Sequence, residues 1–210
     1  MKNLDKISKI VFFGAIWGLI EATLGYALHL LPALIAGSIM FPIVTFILYH
    51  AYKSLSSRKA IFFVGLVAIL IKATNLFLPF LFPAKTINPM IAMAIQTLLV
   101  FAVIPLFESK KLSVKITSIV LVSVAWRLVM IGYYGMNYLM TDFLDFRIRG
   151  FEPAISFVIT EGLISGAFAV LLVLATNPLK ALAKFDRSRI SPIISTAVLV
   201  IAIVLTLVKF

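Results

Sequence analysis

The sequence contains no cysteine, two histidines and only eight acidic residues among 210. Without cysteine there are no disulfides, thiolate metal ligands, cysteine nucleophiles or thiol redox chemistry. His29 and His50 fall at opposite membrane faces in the expected topology, a poor geometry for a two-histidine metal or haem site. Charge is scarce too: charged residues make up 13% of the chain, against about 25% in soluble domains. No His-Glu metalloprotease spacing, Gly-x-Ser-x-Gly elbow or Gly-rich phosphate loop occurs. Ser165 lies one turn from Glu161, but spacing alone does not make it a nucleophile. These absences leave no catalytic residue, metal site or cofactor to name. The chain is expected not to be an enzyme, and any ATP use belongs to a partner.

What is present is apolar sequence. Hydrophobic residues make up 62% and mean hydropathy is +1.13. Apolar runs fall near 10–31, 36–52, 60–82, 89–107, 113–137, 153–176 and 190–208. Roughly 20 such residues cross a hydrocarbon core of about 30 Å. Backbone amides in lipid must be satisfied within the segment, and the alternation of barrel strands is missing. The expected fold is therefore all-α, a polytopic membrane helix bundle. Lys2, Lys6 and Lys9 before the first run imitate a signal peptide, but Glu21 inside it, its length and the lack of a small-residue cleavage site argue for a permanent helix. The seventh run has no residue of strong chemical use and follows a basic linker. It reads as an appended helix, 186–210, behind a six-helix core, 1–185, with an outward-facing polar pocket.

The net charge of +11 is topological. Thirteen basic residues fall before the first run or in and beside the links 53–59, 108–112 and 177–189. Only Lys85, Arg147, Arg149 and Lys209 fall on the alternate side. The positive-inside bias then puts the N-terminus in the cytoplasm and the C-terminus outside, in the cell's inner (plasma) membrane. The basic charge answers to anionic headgroups, not nucleic acid. Asn88-Pro89 reads as an N-cap with proline at the first helical position of the fourth helix. Asn177-Pro178 reads as the end of the sixth helix. The external stretch 138–152 mixes aromatic and charged residues, as an interfacial segment or a lid would.

Four ionisable residues, Glu21, Lys72, Arg127 and Glu161, sit inside apolar runs. A charge near the bilayer centre costs a few kcal/mol, about 2.5–3.5 on insertion scales, so such residues face a bundle interior or wet cavity, with partners. Topology places nearly all intramembrane polar groups between mid-depth and the outer face. Residues three and four apart share a helix face. That aligns Gly14, Gly18, Glu21, Gly25 and His29; Gly65, Ala68, Lys72 and Asn75; Arg127, Met130, Tyr134 and Tyr138; and Glu161 with Ser165. The candidate substrate-binding set is Glu21, His29, Lys72, Asn75, Gln96, Arg127, Tyr134, Tyr138 and Glu161, with Arg127–Glu161 the expected ion pair. The bland alternative is that these charges are structural pairs holding the bundle, and that His29 is an interfacial residue.

About 200 residues, an N-in six-helix core, an outward polar pocket, the small-residue stripe Gly14-x-x-x-Gly18-x-x-x-Ala22 and Ile87-Asn88-Pro89 together form a pattern. It resembles the substrate-binding S component of energy-coupling factor (ECF) importers, over 1–185 and at the level of architecture. The resemblance implies capture of a vitamin or cofactor precursor at the outer face, with partner ATPases supplying energy. It also implies docking of a transmembrane coupling subunit on Gly14, Gly18 and Ala22. The expected ligand is a small, polar or zwitterionic organic molecule. The seventh helix departs from the usual six. Two alternatives stay open: a proton-coupled secondary transporter using Glu21 and Glu161, and a non-transporting assembly subunit or membrane enzyme.

Overall fold

A computed structural model describes residues 2–28, 33–79, 81–175 and 190–208. His29, Asn177-Pro178 and the 177–189 link lie outside these residues. The described residues are helical, with no strand among them. We number the helices α1 (Lys2–Ile20), α2 (Ala33–Leu55), α3 (Arg58–Ala73), α4 (Ala84–Val103), α5 (Leu112–Thr141), α6 (Phe151–Ile155 and Glu161–Ala175) and α7 (Pro192–Leu207). A π-helical turn, Glu21–Gly25, extends α1, and another, Ser156–Thr160, joins the two parts of α6. Five segments, Asn3–Gly25, Arg58–Phe77, Ala84–Glu108, Leu112–Thr141 and Phe151–Ala175, are long and apolar enough to cross a membrane. The chain thus has the build of a multi-pass membrane protein. Exposed Leu121, Leu128, Leu163, Phe168 and Leu171 are then side chains for lipid rather than water.

Around the bundle the neighbours follow the order α1, α3, α4, α5, α6, α2, and α2 returns to α1. Small residues set the closest approaches. A Cβ on Gly14 would lie 2.6 Å from Val67 Cβ and 2.8 Å from the Val64 carbonyl, and one on Gly18 2.7 Å from Ile71 Cδ1. Both glycines therefore serve the α1–α3 seam, the close approach that small residues allow between membrane helices. This corrects their expected use as a partner-docking stripe: the chain's own third helix occupies that face. Ala22, also assigned to the stripe, is only partly buried.

Three boundaries differ from expectation, each for a local reason. α1 starts at Lys2, not near 10, because its basic turns are packed. Lys9 is buried, pairs with Asp5 at 3.8 Å and donates to the Ser54 carbonyl at 3.4 Å. α4 begins at Ala84, which puts Pro89 inside the helix and leaves Asn88 without a capping role. Pro89 falls in the second turn, where its missing amide costs one backbone hydrogen bond, to the Lys85 carbonyl. α7 is not a free anchor. Ala15, Ile71 and Ala202 bury one another, and the Ser195 hydroxyl donates to the Ser8 carbonyl of α1 at 2.8 Å. α7 starts as capping chemistry dictates, with the Ser191 side chain accepting from the Ile193 amide and Pro192 in the first turn.

Candidate functional site

A cavity of about 410 Å³ opens at the end of the bundle where α1, α3 and α5 finish and α4 and α6 begin. The volume lies within the range of small-molecule sites, about 300–1,000 Å³. The buried part is lined by Trp17, Glu21, Met93, Gln96, Trp126 and Met130, with Tyr134 and Phe157 above them. Phe82, Lys85 and Phe143 are exposed lining residues and form the rim.

Glu21 is held from two directions. Its carboxylate meets Lys72 Nζ at 3.3 Å, and both side chains are almost wholly buried. Lys72 itself does not line the cavity, so it stands behind the carboxylate as a counter-ion. Gly25, one turn on, makes room for it: a Cβ there would sit 3.2 Å from Glu21 Cδ. The π-helical turn that carries both residues is a feature that recurs at functional sites. Gln96 of α4 adds a buried amide to the same lining.

The mouth is built from 142–150. Asp142 adopts the left-handed conformation, φ 55°, and ends α5, as Asx residues do at helix C-termini. The chain then turns back so that Phe143, Asp145, Phe146 and Arg147 all line the cavity. Arg147 fastens this segment. Its Nη1 lies 3.2 Å from Asp145 Oδ1, and its guanidinium packs on the rings of Phe146 (4.3 Å), Phe157 (5.1 Å) and Tyr134 (5.3 Å). Such cation–π contacts each contribute about 0.5–2 kcal/mol, more where water is excluded. The expected lid is thus a strap clipped by one arginine.

Asn88 ties α4 to α5, its Oδ1 accepting from the Tyr133 hydroxyl at 2.8 Å. Tyr133→Phe should cost about 0.5–1.5 kcal/mol, the net worth of one such hydrogen bond. Thermal unfolding in detergent reads this, and an unchanged midpoint would show the α4–α5 rim held by packing alone.

Of the sequence-derived set, the structure brings Glu21, Gln96 and Tyr134 together in the lining, with Lys72 directly behind. Asn75 is buried at the end of α3, outside the lining, and Tyr138 is exposed away from it. Arg127 and Glu161 are both buried and lie outside the lining of the open cavity. The inward stripe of α5 is Trp126, Met130 and Tyr134, at four-residue spacing. Arg127 is one residue and about 100° away from it. Arg127 turns back along its own helix, Nη1 donating to the Ser123 carbonyl at 2.8 Å and hydroxyl at 3.0 Å. Glu161 sits within electrostatic reach of Arg127 and Arg147, and the Ser38 hydroxyl lies towards it. Neither carboxylate oxygen is at hydrogen-bond geometry with Arg127, so the pair is not in contact. The contact ion pair is Glu21–Lys72 instead. Sequence reasoning also missed Trp17, Trp126, Phe157, Asp145 and Arg147. The first three each precede by four residues a residue already singled out (Glu21, Met130, Glu161), and that signal could have found them.

Compared with protein-family models, curated proteins and solved structures, the chain matches none.

Proposed function

We propose that the protein is the membrane-embedded substrate-binding subunit of an importer for a small, polar organic micronutrient. Its N-terminus is cytoplasmic, its C-terminus external, and partner ATPases supply energy. The observation that carries this reading is the cavity of about 410 Å³, walled by aromatic and methionine side chains with Glu21 and Gln96 among its buried lining. Apolar walls with a few convergent polar groups are the usual build of a small-molecule site. The aromatic surfaces of Trp17, Trp126 and Tyr134 suit a flat ring. The Glu21 carboxylate in the lining suits a hydrogen-bond donor or a cation, and Lys85 at the rim suits an anionic end. Sequence that lacks any nucleotide-binding motif assigns ATP hydrolysis to another chain. A coupling subunit then docks on a face other than that of Gly14 and Gly18, which α3 fills.

Mass spectrometry of small molecules that co-purify with the chain tests this. The wild type should retain a ligand that Ala92→Trp, which fills the cavity, loses. Gln96→Leu should reduce its retention by about threefold to tenfold, the worth of a hydrogen bond of about 0.5–1.5 kcal/mol. Equal retention by all three proteins would place the ligand outside the cavity.

A further inference from the structure

Behind the cavity wall lies a second polar group of residues that the ligand site does not use. Arg127 is 0% exposed, Ser165 0% and Glu161 6%. Arg127 stacks on the Trp126 ring at 4.5 Å but leaves Nε and Nη2 without hydrogen-bond partners, Ser165 leaves its hydroxyl, and the Glu161 carboxylate has only the Ser38 hydroxyl towards it. Charged groups taken out of water without hydrogen bonds are costly, which is why buried polar atoms are almost always paired. The first pair, Glu21–Lys72, obeys that rule by direct contact. The second does not, although Arg127 and Glu161 lie within electrostatic reach of each other. Donors on Arg127 and acceptor capacity on Glu161 and Ser165 are thus left over in one buried layer between α5 and α6.

Phe157 is the partition. It lines the cavity on one side, and on the other its ring is 5.8 Å from the Arg127 guanidinium and edge-on to Trp126 at 5.9 Å. The Arg147 guanidinium holds the same ring from the mouth at 5.1 Å. Phe157 belongs to the π-helical turn Ser156–Thr160, immediately before Glu161. A π turn carries an extra residue in the helix and is a local irregularity often found at functional sites. Phe157, Glu161 and Ser165 follow at four-residue spacing, which places them in sequence along one face of α6.

We infer that Arg127, Glu161 and Ser165 form an occluded subsite of the ligand cavity, closed by the Phe157 side chain. It would take a ligand end group that presents a hydrogen-bond acceptor and a donor side by side, as a carboxamide does. The acceptor meets the free Nε and Nη2 of Arg127, and the donor meets Glu161. Arg147 links the subsite to the mouth, because the strap cannot release its guanidinium without freeing the Phe157 ring. The inference rests on the ligand-cavity reading above.

Cysteine labelling of the purified full chain in detergent tests it, since the background contains no cysteine. The probe is methanethiosulfonate ethylammonium. Ser165→Cys is nearly isosteric and keeps the charges intact, and Ala92→Cys places a thiol in the cavity itself. Ala92→Cys should react quickly, and Ser165→Cys slowly. Adding Phe157→Ala should speed the Ser165→Cys reaction by at least about tenfold, the expected response when a local opening is made easier. Phe157→Leu, which keeps more of the packing, serves where the alanine variant does not fold. A reactive Ala92→Cys with a Ser165→Cys rate unmoved by either Phe157 substitution would overturn the subsite alone. An unreactive Ala92→Cys would overturn the cavity reading and the subsite with it.

Discussion

Lys72→Met should lower the stability of the purified protein by about 3–5 kcal/mol, because removing one partner strands a buried charge. Lys72 Nζ is 3.3 Å from Glu21 Oε1, with side-chain exposures of 5% and 11%. In a membrane span the stranded carboxylate cannot reach headgroup water by a long flexible stem, as a lysine can. The loss therefore belongs to Glu21 rather than to Lys72. The double variant Glu21→Gln/Lys72→Met should regain most of the loss, since replacing both partners of a buried pair is often close to neutral. Denaturant or thermal unfolding in detergent measures both. A single variant within about 1 kcal/mol of wild type, the scale of an exposed pair, would mean that cavity water already carries the Glu21 charge.

Gly14→Leu should cost about 3 kcal/mol or more, at the upper end of overpacking effects. The first added atom would meet the Val64 carbonyl at 2.8 Å and two Val67 carbons at 2.6 and 2.7 Å. A backbone carbonyl cannot rotate aside, so α1 and α3 must separate, and the Glu21–Lys72 contact between those segments goes with them. Gly132→Ala is the matched control. Nothing lies within 4 Å of its Cβ, and the change should stabilise by about 0.8–1.0 kcal/mol through helix propensity. Size-exclusion profiles and melting midpoints read the pair. A Gly14→Leu protein that melts normally and fails only in partner assembly would return the stripe to a docking surface.

The helices were legible because lipid leaves one solution for a backbone in an apolar run, whatever the order of its side chains. What was not legible is pairing. Depth along the membrane put Arg127 and Glu161 level on consecutive helices, yet the contact pair joins α1 to α3. Which helices touch is decided by close approaches at Gly14 and Gly18 that only three dimensions reveal. Phase failed by a single residue on α5. Arg127, Met130 and Tyr134 share a face by three- and four-residue steps, but Trp126, Met130 and Tyr134 at uniform four-residue spacing form the stripe that lines the cavity. The Asn88-Pro89 signal was locally sound but ambiguous. The helix starts a turn earlier, at Ala84, and Asn88 binds Tyr133 instead of capping. Aromatics and charge in 138–152 gave the strap its place. Only the structure shows that Arg147 clips it to Tyr134 and Phe157.

An outward-opening cavity in a membrane bundle is tested most directly by labelling Ala92→Cys in intact cells with a membrane-impermeant maleimide. Ala92 lines the cavity and is partly exposed within it. The proposed orientation predicts reaction from outside before any permeabilisation, and protection when Ala92 is shielded by a retained ligand. Labelling only after the cytoplasmic face is opened would contradict both the orientation and capture of substrate at the outer surface.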